Sequence, residues 1–568
     1  MKKLTLILTI CFCLLAVDSF ATTYYVRKGG NDNCTGLYDQ DGSSGNCAKL
    51  TIQAAVNLAT TAGDTVTVHV GNYVSDGRIS TAASGTPISR ITISAYTGET
   101  VITKAWTISH NYITVNGFAV KAGSNVSIND GGAVNLSGTY GIFTNGDIYD
   151  AVYTTVSGQY PVAVAFNGSH NTLSETTIRG DGTLNYGWYI VVSFENTYAL
   201  VENCIIKDIL DCERVFNGTE GASSNADYAI MRGNEVYNLL TPVPERYAHV
   251  DIMQTINRSG NSMNNWTFEN NYIHDCDSQG IGYLEAPASK TANLIVRNNV
   301  AANLKNSSMA TPGNGTVYYN NTFYRIGYGV GQDPCVCYWG NATCTSKNNI
   351  VIGATSQTSA NACYGGSKGS GGVFDHDYWS NNSYLAIDTD YFDAWYSGGS
   401  GSINGGNPYF IAAYDNCITN TCNFHLASNS PLKEAGTDLS AYFTTDKDGN
   451  TRTVPWSIGA YEYIGGDTTP PTVTAFVIPS TSNYLSISIT TFTATDDVGV
   501  TGYCLTEVAS YSGCSWYASA PSTYIFTTPG NKTLYAWAKD AANNISSSLN
   551  DTIVLAPALP SNLRMSIQ

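Results

Sequence analysis

The chain has 568 residues, of which 12% are charged, and its 27 Lys and Arg against 44 Asp and Glu give a formal net charge of -17. A single compact core does not grow to this length, so several domains or a repeat architecture are expected. The acidic balance argues against nucleic acid and anionic membranes as partners. It also argues against a highly anionic substrate, unless calcium bridges the two.

The N-terminus has the pattern of a signal peptide over residues 1–21. Lys2 and Lys3 give it a positive start, an apolar stretch follows, and residues 19–21 read Ser-Phe-Ala, a small-x-small cleavage site. No later stretch approaches the length of a membrane span. We therefore expect a secreted protein, extracellular or on a bacterial cell surface, without a transmembrane segment.

The first folded elements are predicted to close one end of a repeat structure. A strand at 23–26 precedes a polar loop, and Thr51 to Ala59 has the spacing of a short amphipathic helix. Repeat arrays need an atypical element at their ends, so this helix is expected to be the N-terminal cap.

An Asn-centred motif then recurs about once every thirty residues, with short strand-like apolar runs beside it. No helical pattern separates the copies, which argues against alternating strands and helices. The pattern predicts a parallel β-solenoid, in which each coil buries its apolar face against its neighbours. The motif is centred at positions 116, 145, 174, 203, 233, 270, 298, 320 and 348.

Cysteines that lie close in sequence are predicted to form local disulfides in an oxidising compartment. The pairs are Cys34/Cys47, Cys204/Cys212, Cys417/Cys422 and Cys504/Cys514. The mature chain has an odd number of cysteines (15 − 2 = 13), and the spare thiol is assigned to Cys276, buried in a coil. A cluster of four further cysteines is a zinc alternative, although no His has ligand spacing there. Its members are Cys335, Cys337, Cys344 and Cys363.

Short motifs stand at both ends of the repeat region. The opening one reads T-I-Q-A-A-V at 51–56 with G-D-T-V at 63–66, and the closing one reads N-P-Y-F at 407–410 with I-G-A-Y-E-Y at 458–463. These segments resemble exported right-handed parallel β-helix proteins of the pectate lyase-like superfamily. The resemblance covers residues 22–463 and implies that fold. It implies no single activity, because that superfamily contains lyases, hydrolases, epimerases and proteins with no known chemistry.

The C-terminal part is predicted to be a separate module. Residues 464–471 form a linker, and short alternating strands over 472–555 predict a small β-sandwich. The stretch Tyr535 to Asp540 resembles bacterial immunoglobulin-like domains, which usually serve as spacers or adhesive units. Residues 556–568 are predicted to be a linker or tail.

Polar residues of different repeats are predicted to meet in one column, because stacked coils place equivalent positions about 4.8 Å apart. Strand alternation places Val250 and Ile252 inward, and His249 and Asp251 outward. The column is made up of Glu213 and Arg214 in one coil, His249, Asp251 and Gln254 in the next, and Gln279 and Glu285 in the coil after that.

These residues suggest a site for polysaccharide chemistry. Asp251 or His249 is the candidate general acid or base, Glu213 is the second carboxylate, and Arg214 is expected to hold a substrate oxygen. The three remaining members, Gln254, Gln279 and Glu285, are the candidate substrate-binding residues. The same side chains can instead form hydrogen-bond ladders that only stabilise the fold.

Lys207 offers a rival, lyase-type base. It lies beside Asp208 and Asp211, and a Lys in such a setting more often forms a surface ion pair.

Two loops have the alternating carboxylates of calcium sites, and calcium is the only cofactor that the sequence suggests. The candidate ligands are Asp39 and Asp41 in one loop and Asp446 and Asp448 in the other. Both loops lack the distant Glu of a full EF-hand, and Asp-Gly turn formation explains the same pattern.

The leading hypothesis is an exported, monomeric, carbohydrate-active protein that binds a polysaccharide or cell-surface glycan on a coil face, and cleaves it as a lyase or hydrolase. The alternative is a non-catalytic surface or matrix protein with an adhesive or structural role. The concentration of His, Asp, Arg and Gln in one column favours the first. The scarcity of cations near that column and the appended sandwich favour the second.

Overall fold

The computed structural model shows a chain that is almost entirely β-strand. It describes residues 21–124, 126–127, 130–152, 161–181, 188–210, 212–218, 225–241, 250–255, 261–284, 291–305, 315–326, 344–353, 373–381, 401–464, 469–496 and 499–556. The predicted signal peptide therefore lies outside the described residues, apart from Ala21. None of the helices in the described part of the chain approaches the length and hydropathy that crossing a bilayer requires.

Three long parallel sheets run side by side along the solenoid, and the chain visits them in turn. The first sheet comprises Thr23–Val26, Thr65–Val68, Ile91–Ala95, Ile113–Asn116, Ile142–Thr144, Thr172–Ser174, Leu200–Glu202, Ile230–Arg232, Thr267–Glu269, Ile295–Arg297, Thr316–Tyr319, Cys344–Lys347 and Val373–Asp375.

The second sheet comprises Gly71–Asn72, Val101–Thr103, Phe118–Gly123, Asp147–Ala151, Thr177–Arg179, Ile205–Leu210, Glu235–Leu240, Tyr272–Cys276, Val300–Leu304, Thr322–Ile326, Ile350–Gly353, Tyr378–Asn381 and Ile403–Asn404. The third sheet comprises Arg78–Ser80, Ala105–Ile108, Val134–Leu136, Val162–Phe166, Ile190–Phe194, Arg214–Gly218, Val250–Thr255 and Ser278–Leu284. This arrangement confirms the predicted parallel β-helix.

The core is built from columns of like residues, one from each coil. In the first sheet the pairing register aligns Phe143 with Val115 on one side and Leu173 on the other. All three side chains are fully buried, and each contributes about 1.5–3 kcal/mol by leaving water. Because every coil needs its neighbour to cover this face, the stack is stable only as an array.

The recurring Asn motif marks the turn from the first sheet to the second. Residues such as Asn145 (φ 52°), Asn203 (φ 54°) and Asn348 (φ 59°) are in the left-handed region there, and Gly117 and Gly233 occupy the same turn. Asn and Gly adopt this conformation more readily than other residues. The turn conformation therefore explains why these two residue types recur.

A second set of asparagines, one position further along the chain, forms a buried ladder. In each step the Nδ2 of one side chain donates to the Oδ1 of the next, at 2.9–3.1 Å. The ladder runs from Asn234 through Asn271, Asn299, Asn321 and Asn349 to Asp377. Because backbone N–H groups donate to the same Oδ1 atoms, the ladder satisfies the buried turn between the two sheets.

The N-terminal cap is shorter than expected. The helix spans Ile52–Val56, with Thr51 as its N-cap, whereas the sequence pattern extends to Ala59. After Val56 the chain tightens, since the Leu58 N–H donates to Ala55 O, an i→i+3 bond typical of a helix end. Ile52, Ala55 and Val56 are buried against the first coils, as a cap requires.

A closing segment, residues 407–463, packs on the outer face of the second sheet. It carries one short antiparallel pair, Phe410–Ala412 with Asn423–Leu426. Its apolar residues Phe424, Leu426, Leu432 and Ile458 form one cluster with later strands of that sheet, including Val300, Tyr324 and Ile350. The later coils are thereby covered on this side.

The turn asparagines of the later coils anchor this segment. Their side-chain amides donate to its backbone carbonyls, from Asn298 to Thr445 (2.8 Å), from Asn320 to Ser457 (2.9 Å) and from Asn348 to Thr437 (2.8 Å). The buried Arg452 adds a bond to Asn298 Oδ1 (2.8 Å) and a salt bridge to Glu462 (3.2 Å).

The remaining strands form small, mostly antiparallel sheets. They are Thr472–Val477 with Thr491–Thr495, Ser486–Ser488 with Thr523–Ile525, and a four-stranded sheet of Thr481–Ser482, Leu549–Leu555, Gly530–Asp540 and Val500–Thr506. They enclose a separate apolar core, as a sandwich does. Its identity as an immunoglobulin-like domain and the exact domain boundaries stay predictions.

Three of the predicted disulfides are confirmed: Cys34–Cys47, Cys417–Cys422 and Cys504–Cys514. The predicted Cys204–Cys212 bond is wrong. The two cysteines flank the extended strand Ile205–Leu210, and six extended residues span about 20 Å, whereas bridged Cα atoms lie within about 7 Å. Both side chains are buried in the coil interior, as is that of Cys276, which remains a free thiol.

Candidate functional site

The structure brings the predicted column together on the third sheet. Arg214 is paired in register with Asp251, and Asp251 with Gln279 on the following strand. A parallel column three residues further along pairs Asn217 with Gln254. The grouping of these residues from separate repeats is therefore correct.

This polar column lies on the outer side of the sheet. Val250 and Ile252 belong to the main core, as alternation predicts, while Tyr189 and Ile190 form a different cluster. The guanidinium carbon of Arg214 lies 5.7 Å from the Tyr189 ring centroid. Arg214 therefore points to the same outer side as that second cluster.

The column is nevertheless shielded from solvent. Arg214 is only 3% exposed and Asp251 is 0% exposed. Arg214 Nη2 forms a 2.6 Å salt bridge to Glu213 Oε1. Glu213 and the register partner Asp251 are two carboxylates beside the single cation of Arg214 among the described residues, so this group is acidic overall.

Asn217 is the most unusual member of this outer face, and sequence reasoning missed it. Its side chain is fully buried, and neither its Oδ1 nor its Nδ2 has a hydrogen-bond partner among the residues that the structure describes. Gln254 Oε1 is also buried and has no hydrogen-bond partner among the described residues. A buried polar group without a partner costs about 1–3 kcal/mol, so these amides call for an explanation, and ligand binding is one.

Some predicted members are not described. His249 and Glu285 lie outside the described residues, and Gln279 is described through its backbone only. Their predicted roles stay predictions, as do the acid and base roles of Asp251 and Glu213.

Lys207 does not have the properties of a catalytic base. Its Nζ lies 3.7 Å from Asp208, and a hydrogen bond with Tyr237 is the main cause that raises its pKa above the ordinary Lys value. A base must lose its proton near neutral pH, so the surface ion-pair interpretation holds.

The candidate calcium loops do not converge on a cation. Asp446 Oδ1 accepts the N–H groups of Asp448 (2.9 Å) and Asn450 (2.8 Å), which is turn geometry. Asp448 is bonded to His425 at 2.9 Å.

At the other end of the solenoid, Asp39 contacts Arg27 (2.6 Å) and His69 (2.8 Å), and Asp41 lies in the same loop. In the described part of the chain no group of three or more His, Cys, Asp or Glu could hold a metal. The assignment of these four aspartates as calcium ligands stays a prediction.

A second polar surface, also unforeseen apart from Lys207, lies on the outer face of the second sheet ahead of the closing segment. There Lys121, Tyr149, Arg179, Lys207 and Tyr237 follow one another in register. The sequence signal was a column of basic and aromatic residues, one from each coil, which is visible only once the register is known.

No family model matches this chain, and no curated protein matches it. Several solved structures match in part. A PL6 family polysaccharide lyase from Pseudopedobacter saltans is 16% identical, over 56% of this chain and 89% of that chain, with a TM-score of 0.37. A mannuronic acid specific polysaccharide family 6 lyase from human gut microbiota is 14% identical, over 56% and 76%, with a TM-score of 0.37.

A GH136 lacto-N-biosidase from Eubacterium ramulus is 11% identical, over 62% of this chain and 66% of that chain, with a TM-score of 0.33. Likeness this distant carries no argument about activity or substrate. The β-helix rests on the chain's own three sheets.

Proposed function

We propose that this chain is an exported carbohydrate-active protein that binds a polysaccharide at the outer face of the third sheet, around Arg214, Asn217 and Asp251. The observation that carries the proposal is the buried Asn217 amide, which lacks partners among the described residues. Side-chain amides carry both a donor and an acceptor, as do sugar hydroxyls. Unsatisfied amides beside an acidic cluster are what a glycan-binding site would present.

The charges favour a neutral glycan. Glu213 and Asp251 outnumber Arg214, so a uronate carboxylate would be repelled rather than neutralised. A pair of carboxylates about 5–9 Å apart supports glycoside hydrolysis. Glu213 and Asp251 lie on neighbouring coils, where the Asp251 N–H donates to Glu213 O at 2.8 Å. In this proposal Asp251 and Glu213 act as acid and base, Arg214 orients a substrate oxygen, and Gln254 binds the sugar.

The burial of Asp251 favours the alternative, a non-catalytic surface or matrix protein. A polymer can contact Asp251 only if this face opens on binding. If it does not open, the column is a stabilising polar cluster, and the solenoid serves as an adhesive or structural element.

The substitution Asp251→Asn separates these two functions. Loss of a general acid or base lowers turnover by about 10²–10⁴-fold, so we expect such a fall in the release of reducing ends from the best polysaccharide of a mixed panel. The matched control is Asp415→Asn, which removes a carboxylate that is 71% exposed and far along the chain. Unchanged turnover in Asp251→Asn, or no turnover and no binding by the parent on any glycan, would contradict the proposal.

A further inference from the structure

The closing segment leaves part of the second sheet uncovered. Tyr272 already packs against the closing-segment cluster, whereas the coils before it expose their outward side chains. Exposed fractions are 52% for Lys121, 35% for Arg179 and 30% for Lys207. We call this surface the open face, defined by Lys121, Asp147, Tyr149, Arg179, Lys207, Glu235 and Tyr237.

The open face consists of two columns that run parallel to the solenoid axis. In one, Asp147 is paired with Thr177, Thr177 with Ile205, and Ile205 with Glu235. In the other, five outward side chains, three cations and two tyrosines, follow one another from Lys121 to Tyr237. Neighbouring strands lie about 4.8 Å apart, which is close to the length of one pyranose unit of an extended glycan.

Each cation of the open face already has a carboxylate partner. Arg179 binds Asp147 through two bonds of 2.9 and 2.8 Å. Lys207 lies 3.7 Å from Asp208, and Lys121 lies 3.6 Å from Asp150. With Glu235 added, this surface has no excess positive charge.

The aromatic rings are held in place by the same cations. The Arg179 guanidinium carbon lies 4.4 Å from the Tyr149 ring centroid, and Lys207 Nζ lies 5.7 Å from that of Tyr237. The Tyr237 ring also stacks on that of His274, with 5.0 Å between the ring centroids. Because these rings are already held in place, a ligand that contacts them loses less side-chain entropy on binding.

We infer that the open face is a second glycan-binding surface, distinct from the third-sheet site, and that it takes an uncharged polysaccharide lying parallel to the solenoid axis. The columns offer hydroxyl, guanidinium and carboxylate groups to sugar hydroxyls, with Ile205 and the ring edges as apolar contacts. An acidic polysaccharide finds no unpaired cation there, and the net charge of -17 opposes it.

The test measures binding of the full mature chain to soluble galactomannan and β-glucan as neutral probes, and to alginate and polygalacturonate as acidic probes. Tyr237→Ala and Arg179→Gln should weaken binding to the preferred neutral probe by about fivefold or more, the loss of roughly one good polar contact. Tyr237→Phe keeps the ring if the Ala variant does not fold. The matched control is Tyr484→Ala, an exposed tyrosine of the sandwich, which should bind as the parent does.

Salt supplies the second readout, because surface charge attraction is screened between about 0.05 and 0.5 M salt. Neutral-probe affinity that is insensitive to salt supports the inference. Unchanged affinity in both open-face variants, or tighter binding of an acidic probe that weakens with salt, would overturn it.

Loss of turnover in Asp251→Asn with open-face binding unaffected by Tyr237→Ala would overturn this inference alone. Retained turnover in Asp251→Asn with reduced binding in Tyr237→Ala would contradict only the acid and base roles proposed for Asp251 and Glu213.

Discussion

At the scale of single residues, the backbone conformation of the turn restricts which amino acid can occur more strongly than packing in the core does. The turn between the first and second sheets needs a residue with positive φ, followed by one that can satisfy buried backbone groups. Asn203 provides the positive φ. Asn234, one coil later, satisfies a buried backbone carbonyl through its side-chain amide. One side-chain type therefore recurs for two separate physical reasons.

Asp377 is the exception at the end of the buried ladder, where a carboxyl takes the place of an amide. Burial raises its pKa to about 7, and the bonds donated by Asn349 oppose this only in part. Because the folded pKa is above the unfolded value, the folded state retains a proton that the unfolded chain loses. The free energy of unfolding should therefore fall as pH rises from about 4 to about 7.

We predict that Asp377→Asn removes this fall. The variant should match the parent near pH 4 and exceed it at pH 8 by about 4 kcal/mol, from a shift of about three pKa units. Thermal unfolding measured across this pH range checks the prediction. Asp375→Asn is the control, because Asp375 is partly exposed and paired with Lys347 at 3.4 Å. A parent-like pH profile in Asp377→Asn would refute the account.

At the scale of elements, the buried ladder joins the turn of each coil to the next. Asn299 Nδ2 donates to Phe268 O (2.8 Å) and Asn321 Oδ1 (2.9 Å), and its Oδ1 accepts from Asn271 (3.0 Å). Its removal leaves groups on two neighbouring coils without partners, so its cost should exceed that of a surface amide.

We predict that Asn299→Ala lowers the free energy of unfolding by about 3 kcal/mol. Asn145→Gly is the control, since Asn145 is exposed and Gly accepts its positive φ of 52°; its effect should stay within about 1 kcal/mol. Denaturant unfolding of both variants provides the measurement. Equal stabilities for the two variants would show that the ladder is not a stabilising network.

At the scale of the whole molecule, the repeat interval of the sequence determines the fold. The pairing register between coils determines which residues meet at the site. The repeat interval and the apolar runs were sufficient to predict the solenoid, because each coil has to bury its apolar face against its neighbours in the same way. They also grouped Arg214 with Asp251, since a column needs only the interval. The closing segment was expected as part of the solenoid, but its position was not, because its contacts join residues more than a hundred positions apart, such as Asn320 and Ser457.

The role of the site could not be predicted to the same degree. Burial of Asp251 depends on what surrounds the outer face, which no local pattern encodes. Asn217 lies in an ordinary apolar strand context, R-V-F-N-G, so its missing partners are visible only in three dimensions. The open face could not be predicted for a related reason, because its basic and aromatic residues come from separate coils and are not neighbours along the chain.

Asn217→Leu tests the central claim most directly, with thermal stability and glycan turnover measured on the same samples. Leu has the same branched arrangement of heavy atoms as Asn and removes polar atoms that lack partners among the described residues, so stability should rise by about 1–3 kcal/mol while glycan binding and turnover fall. The control is Asn171→Leu, because Asn171 is equally buried but donates to three carbonyls at 2.8–3.0 Å and should be destabilised. A gain in stability with loss of glycan activity is the predicted result. A loss of stability with glycan activity unchanged would show that the third-sheet cluster serves the fold and not the function.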